Sequence, residues 1–292
     1  MTAHIAAQRT DFQIPVAVSC RALGVAPSWF YKHQGRGPTV RELRRGVLDA
    51  KITAAFEAND GEYGSPRVWA ELVDAGERVS RKTIATAMAR LGLVGKKRRV
   101  RRSLTRADPG AAKFANLLRR RFNPEAPNVA FVGDITEIKT WEAKLYVATV
   151  IDLYSRRLVG WAIADNCRAP LVCDAMKMAI ATRGGAVAGV IMHTDRGSQY
   201  TSTAFVELCR RHRITQSMSR AGSCLDNAVA ESFFATLKTE LVYRTVLATK
   251  AIARRRLIAW FDRYNRTRRH SHCGLTAPIT YEAATVPAAQ AA

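Results

Sequence analysis

The chain has 292 residues, with 46 Lys+Arg against 24 Asp+Glu and a formal charge of +22 at pH 7. An apolar content of 48% excludes wholesale disorder, and this length supplies two or three domains with at least one sizeable core. So basic a body repels itself when compact, and a polyanion is the partner that compensates it, so the composition points to nucleic acid.

The excess is uneven: residues 1–122 carry 24 basic and 10 acidic side chains, net +14, and residues 123–292 carry 22 and 14, net +8. Six cysteines, at 20, 167, 173, 209, 224 and 273, include no C-x-x-C pair. Neither a disulfide framework nor a zinc ribbon is expected, and a reducing cytosol fits. The opening MTAHIAAQRTDFQIP lacks a signal-peptide pattern, and no apolar run approaches the roughly 18–20 residues that span a bilayer. The expectation is a cytoplasmic, nucleoid-associated protein with no membrane partner.

In chain order, IPVAVSCRALGVAPSWFYKH (14–33) reads as a helix, a turn at Gly24-Val25 and a second helix from Ser28, a helix-turn-helix rhythm within a segment 1–38. A second such unit is expected over 39–95. There SPRVWAELVDAG ends at a glycine, and VSRKTIATAMARLGL starts from Ser80 as N-cap and stops at Gly92. Ile84, Met88 and Leu91 form its buried stripe, which leaves Arg81, Lys82, Thr86 and Arg90 outside, either solvated or placed to enter a DNA groove. A linker is expected over 96–122. It opens on KKRRVRRSLTR, where Lys96, Lys97, Arg98 and Arg99 are suited to track phosphates, and it closes in a short helix over AAKFANLLRRRF.

From 123 to 245 the texture changes. NVAFVGDITEIKT, KLYVATVIDLYS and RLVGWAIAD read as three strands at hairpin spacing. RAPLVCDAMKMAIATRG reads as helix, AVAGVIMHTD as strand, STAFVELCRRH as helix, ITQSMS as a short strand and DNAVAESFFATLKTELV (226–242) as a long helix. A meander followed by β-α-β-α gives a mixed five-stranded sheet with helices on its faces, an α/β (α+β) core preceded by an all-α region. Residues 246–292 supply a further helix and a basic tail.

Three acids occupy telling places in that order: Asp134 mid-strand, Asp195 at a strand end and Glu231 one turn into the last helix, with gaps of 60 and 35 residues between them. Carboxylates brought together repel one another unless a cation lies between them, and hard oxygen ligands suit Mg²⁺. Two such ions roughly 3.5–4 Å apart activate an attacking hydroxyl and stabilise the leaving oxygen of a phosphodiester. On the helix, Asn227, Glu231 and Lys238 fall within about 40° of one another, beside an apolar arc of Ala230, Phe233, Leu237 and Leu241. Asp226 or Asn227 is the expected N-cap, and Lys238 is suited to hold a phosphate.

GDITEI, HTDRGSQY, DNAVAESFFATLKTE and WFDRYNRTRRHSHCGLTAPITYE together resemble the OrfB-type transposases of the bacterial IS3 insertion-sequence family, within the retroviral-integrase superfamily. The likeness spans nearly the whole chain, including the region of YGSPRVWAEL and VSRKTIATAMARLGL. It implies an RNase H-like integrase core with an Asp, Asp, 35-residue gap, Glu signature, met here by Asp134, Asp195 and Glu231 as catalytic metal ligands, and a lysine seven residues on, here Lys238. The tail departs from the family in Ala277-Pro278, where Ser usually precedes the proline; nothing catalytic depends on it.

The resemblance further implies DNA integration by metal-dependent cleavage and strand transfer, with Mg²⁺, or Mn²⁺ in its place. The partners implied are double-stranded DNA (terminal inverted repeats and target), a homo-oligomer on that DNA, and an upstream OrfA as partner or frameshift fusion. Asn227, Arg196, Gln199, Lys238, Arg81, Lys82 and Lys96–Arg99 are the expected DNA contacts. His193 either orients a water or phosphate or braces the site. Asp152, the rival acid, is expected to brace its turn with Arg156 or Arg157, and Glu137 to point to the opposite sheet face. His4, Cys20 and His33 lack paired spacing, and His270, His272 and Cys273 lack a second ligand pair, so no zinc is expected. Two rivals are an RNase H-like nuclease, which calls for a fourth core carboxylate, and a non-catalytic DNA-binding regulator, which needs none of the three acids.

Overall fold

The computed structural model describes residues 1–96, 114–220 and 224–285. Three short helices, α1 (Thr2–Phe12), α2 (Val16–Ala22) and α3 (Pro27–His33), close on Ile5, Val16, Cys20 and Phe30. The last two are the expected pair; α1 was not anticipated.

A second small core, Ile52, Tyr63, Val68, Leu72, Ile84, Ala87 and Met88, joins α4 (Val40–Ala58), α5 (Ser65–Asp74) and α6 (Arg81–Arg90). Helix α6 starts as expected, with Ser80 Oγ accepting from Thr83 N at 3.1 Å. Helix α4 escapes a periodicity search because it buries only Ile52 and exposes Val40, Leu43 and Val47. Its sequence signature is a capping box: Thr39 Oγ1 accepts from Glu42 N at 3.2 Å while Glu42 Oε2 accepts from Thr39 N at 2.7 Å.

The larger unit is the expected mixed sheet. Strands β1 (Ala130–Lys139), β2 (Lys144–Asp152), β3 (Leu158–Ala164), β4 (Ile191–Thr194) and β5 (Thr215–Met218) lie in the order β3-β2-β1-β4-β5, antiparallel on the meander side and parallel between β1, β4 and β5. Helices α7 (Ala169–Thr182) and α8 (Thr203–Arg211) cover one face, and α9 (Ala228–Leu237) and α10 (Lys250–Arg266) the other. Alternation assigns the β1 side chains: Ala130, Val132 and Ile138 pack in the α9–α10 layer, Phe131 and Ile135 in the α7–α8 layer. Asp134 shares the parity of Val132, so it faces α9. Glu137 has the opposite parity, as expected, and pairs with Lys144 at 3.0 Å.

Three local expectations are corrected. Residues 114–122 form no helix, because their polar groups are spent on the sheet: Ala115 O accepts from Met218 N of β5 at 3.3 Å, and Leu117 N donates to Ser217 Oγ at 2.9 Å. This stretch covers the β5 edge and buries Leu118, so it belongs to the core unit. Of the expected linker, 97–113 lies outside the described residues. Asp226 is no N-cap; it is fully buried and accepts from Asn116 Nδ2, Arg120 Nε and the Arg220 guanidinium. Finally, the long helix is divided: α9 ends at Leu237 and passes into a π turn, Lys238–Val242.

The basic C-terminal region turns inward. Leu257, Trp260, Phe261 and Tyr264 of α10 pack against α9, and the arginines beyond reach acids of both units. Arg268 grips Glu240 at 2.6 Å, Arg263 grips Glu62 at 2.7 Å, and Arg269 holds Glu71 and Asp74 at 2.7 and 2.6 Å. The Tyr63 hydroxyl also accepts from Arg269 N at 2.9 Å. These bonds fasten the α4–α6 unit to the core. The last helix, α11 (Pro278–Thr285), delivers Glu282 to the turn after β2.

Candidate active site

The site forms where β1 and β4 lie parallel and α9 begins. Asp134, half-buried and opposite Thr149 of β2, has one oxygen accepting from Ile135 N at 2.8 Å. Burial, and then the charge of Asp195, push its carboxyl up to about 7; Glu231 adds to this, and the Ile135 hydrogen bond and Lys238 oppose it. Asp195 follows β4 directly, and burial raises its carboxyl against the hydrogen bond it accepts from Gly197 N at 3.0 Å. A Cβ on Gly197 would lie 3.0 Å from both Asp195 Oδ1 and Gln199 Oε1, so the turn of HTDRGSQY is wrapped tightly around that carboxylate.

Glu231, exposed in the first turn of α9, and Lys238, half-buried where the π turn begins, complete the group. The three acids named from the sequence come within electrostatic reach at Asp134, which also feels the charge of Lys238. They are close enough to repel one another, yet among the described residues no three His, Cys, Asp or Glu groups stand tightly enough to hold a metal ion as they are.

The neighbours divide into bracing and surface groups. His193 is fully buried, with Nδ1 at 2.8 Å from Ser217 Oγ and Nε2 at 3.2 Å from Ser219 Oγ; burial lowers its ring to about 4. It is therefore a neutral tie between β4 and the end of β5. Asn227, expected on DNA, is buried, and its Nδ2 donates to Gly133 O at 3.2 Å, so it braces the backbone just before Asp134. Arg196 Nε donates to Ser219 O, and Gln199 Nε2 to Cys167 O, both at 2.9 Å, so both stiffen the loop around Asp195.

On α6, Lys82 and Thr86 face outward, and Arg81 lies over the Trp69 ring at 4.3 Å. Lys96 Nζ donates to Asp60 O, while Lys97, Arg98 and Arg99 lie outside the described residues.

Asp152 does brace its turn, accepting from Asn128 N at 3.0 Å and Tyr154 N at 2.8 Å, but its arginine is Arg183, at 2.7 Å, and not Arg156 or Arg157. Arg156 goes to Asn123 and His272, and Arg157 to Glu282. The C-terminal His and Cys groups are spent within the fold: His272 Nε2 lies 2.9 Å from Tyr154 O, and Cys273 Sγ donates to Ser155 O at 3.1 Å. Sequence reasoning passed over Glu282, in the quoted ITYE; the motif held the signal.

Comparison with known proteins places this geometry in a class. An integrase core domain matches residues 124–224, a second integrase core domain model matches 212–278, and an HTH-like domain matches 42–101. The molecule is an integrase-core protein of the polynucleotidyl-transferase class, led by a helix-turn-helix-like unit. A Mycobacterium tuberculosis transposase for insertion sequence element IS986/IS6110 is 40% identical over 269 residues, 89% of this chain and 95% of the relative. Transposase InsF of insertion sequence IS3A from Escherichia coli is 36% identical over 282 residues, 96% and 98% of the two chains. The chain belongs to the IS3 family of insertion-sequence transposases. Among solved structures, the HTLV-2 integrase catalytic core domain in complex with magnesium is similar over 54% of this chain and 98% of its own, at TM-score 0.43 and 17% identity.

Proposed function

We propose that this transposase is a Mg²⁺-dependent DNA strand transferase, accepting Mn²⁺ in its place, that acts on the terminal inverted repeats of its own element and on target DNA. The observation that carries the reading is the group Asp134, Asp195 and Glu231: burial, and then the charges of Asp195 and Glu231, push the Asp134 carboxyl up to about 7, with the Ile135 hydrogen bond and Lys238 opposing. Such a site is short of positive charge and built of hard oxygen donors, which is what a divalent cation requires. Asp134 and Asp195 would hold the metal together, with Glu231 completing its ligands. When bound, the metal supplies activation of the attacking oxygen and stabilisation of the leaving one.

The chain's own groups set the stage for that chemistry. The backbone N–H groups of Ile135 and Gly197 each hold one carboxylate oxygen of their aspartate, which limits how the acids turn. Lys238, within electrostatic reach of Asp134, would meet a phosphate of the bound strand. Arg196 and Gln199 would fix the loop that DNA passes, and Arg81, Lys82 and the 96–99 run would contact the duplex. Water would first expose a 3′-hydroxyl, which then attacks a second phosphodiester in line; no serine or tyrosine nucleophile is required. The working form would be a homo-oligomer on DNA, joined by or fused to an OrfA product. A fourth core carboxylate, the mark of the nuclease alternative, finds no support in Asp152, which Arg183 and two backbone N–H groups already occupy.

Strand transfer on labelled oligonucleotides bearing the element's ends, with Mg²⁺ or Mn²⁺, tests the reading. Glu231→Gln is expected to lose roughly 10²–10³-fold or more of joined product with DNA binding unchanged. Wild-type rates from Glu231→Gln would overturn it, as would no product from either protein, alone or fused to the upstream frame.

A further inference from the structure

Trp141 stands at the tip of the β1–β2 hairpin, 78% exposed. Its turn is tightly held. Thr140 N donates to Ala143 O at 3.0 Å, Ala143 N donates to Thr140 Oγ1 at 3.0 Å, and Thr140 Oγ1 donates to Ala143 O at 2.6 Å. Further bonds tie the turn to the loop beyond the π turn. Trp141 N donates to Leu247 O at 3.1 Å and Glu142 N to Ala248 O at 3.2 Å, while the Glu142 carboxylate accepts from Lys250 N at 2.8 Å. The indole is a large apolar face on a rigid mount, and the fold covers little of it.

The sheet topology puts this tip on the side of the carboxylates. Strand β4 pairs with β1 over Ala130–Val132 and ends at Thr194, whereas β1 and β2 run on together to Lys139 and Lys144. At about 3.3 Å per residue, the hairpin projects roughly 15–20 Å past Asp134. Helix α9 spans the same gap on the face that Asp134 shares. It begins where Asn227 Nδ2 donates to Gly133 O, carries Glu231 in its first turn, and leads through Lys238 to Tyr243, whose N–H donates to Lys238 O at 2.9 Å. Leu247, buried in the α9–α10 layer, then meets the hairpin. On this return loop Tyr243 and Val246 are exposed.

The surroundings are basic. The register sets Lys139 directly opposite Lys144, a like-charge pair that costs stability unless an anion is near, and Glu137 pairs with Lys144. Lys139 and Arg244 are exposed and form no ion pair among the described residues. An aromatic face among such cations suits an unpaired nucleobase and its phosphates; bases inside a duplex already have both faces stacked.

We propose that Trp141 is a stacking platform for an unpaired DNA base, and that single-stranded DNA leaving the carboxylates runs along α9 past Lys238 to reach it. The inference rests on the DNA-joining reading above and adds a substrate class, DNA with a single-stranded flank. At about 3.4 Å per nucleotide, the stacked base lies roughly five nucleotides from the cut.

The test compares wild type, Trp141→Ala and Trp141→Tyr as full chains. The probes are a blunt duplex of the element's end and the same duplex with a tail of about eight unpaired nucleotides at the cleaved end, long enough for that span. Affinity is read by fluorescence anisotropy of the labelled DNA, alongside thermal unfolding and sedimentation without DNA. Trp141→Ala is expected to bind the tailed duplex about tenfold more weakly, to bind the blunt duplex as wild type does, and to unfold no lower. Trp141→Tyr keeps an aromatic face and is expected to recover most of the lost affinity. Unchanged affinity of Trp141→Ala for the tailed duplex would overturn the proposal, as would equal losses on both duplexes or a lowered unfolding temperature. A wild-type oligomer that Trp141→Ala disperses in the absence of DNA would also overturn it, since the indole would then face a second copy. A wild type that binds neither duplex would sink the DNA-joining reading as well, which separates the two failures.

Discussion

Asp152, Asp226 and Glu282 lie deep in the scaffold with arginine on each of them, whereas Asp134 and Asp195, in the same sheet layer region, have no arginine or lysine in salt-bridge contact among the described residues. Glu282 accepts from Ser155, Arg157 and Arg183, and although burial opposes it, those partners bring its carboxyl down to about 2. Asp134, by contrast, is held up at about 7. Arginine is not scarce in a chain with 46 Lys+Arg, so the difference is one of placement. Acids neutralised from within serve as fastenings. Acids left in each other's company make the place that, on the proposed function, an outside cation would complete.

The largest effect should come from the scaffold side. Arg183, 7% exposed, is shared by Asp152 and Glu282, so Arg183→Leu strands two buried carboxylates. It is expected to cost about 3–5 kcal/mol in urea unfolding. An unchanged midpoint would break the comparison, because the scaffold acids would then not need their cation.

The pH dependence of Glu282 sharpens it. Its folded pKa is lowered from 4.5 to about 2, so its stabilisation is complete above about 4.5 and is lost as pH falls toward about 2. The unfolding free energies of wild type and Glu282→Gln should differ by about 3 kcal/mol near pH 6 and converge near pH 2. A gap that persists at low pH would assign the difference to packing.

The smallest effect should have the opposite sign. Removing one of three mutually repelling carboxylates in Asp134→Asn is expected to leave the metal-free protein as stable as wild type or about 1 kcal/mol more so, while strand transfer is lost. Destabilisation, measured by the same urea titration, would place Asp134 with the scaffold acids.

Much of this was legible in the sequence where the physics is local. Strand alternation and helix periodicity gave the five strands and the helices α7, α8 and α9 of the integrase core, α9 ending earlier than the periodicity suggests, and the 60- and 35-residue gaps named the three acids before any geometry. What escaped depended on distant partners. Nothing near Asp152 in the chain distinguishes Arg183 from Arg156 or Arg157, since the choice is made by where α7 ends. Residues 114–122 have helix-forming side chains, but the open β5 edge and Asp226 compete successfully for their backbone and side chains. Helix α4 hides because its outward face carries Val40, Leu43 and Val47, which blurs the apolar stripe. Asn227 looked like part of a DNA-facing stripe on an isolated helix; only the neighbouring strand shows that Gly133 O claims it.

The fastening of the α4–α6 unit by Arg263 and Arg269 has a consequence in time. Glu62 and Arg263 are 201 positions apart, so a ribosome makes Glu62 roughly 10–40 s before it delivers the arginine that pairs with it. Throughout that interval the α4–α6 unit stands without the pairing of Glu62 to Arg263. A message cut short before Arg263 yields a chain in which Glu62 and Glu240 lose their arginines, and with them the clasp between the α4–α6 unit and the core.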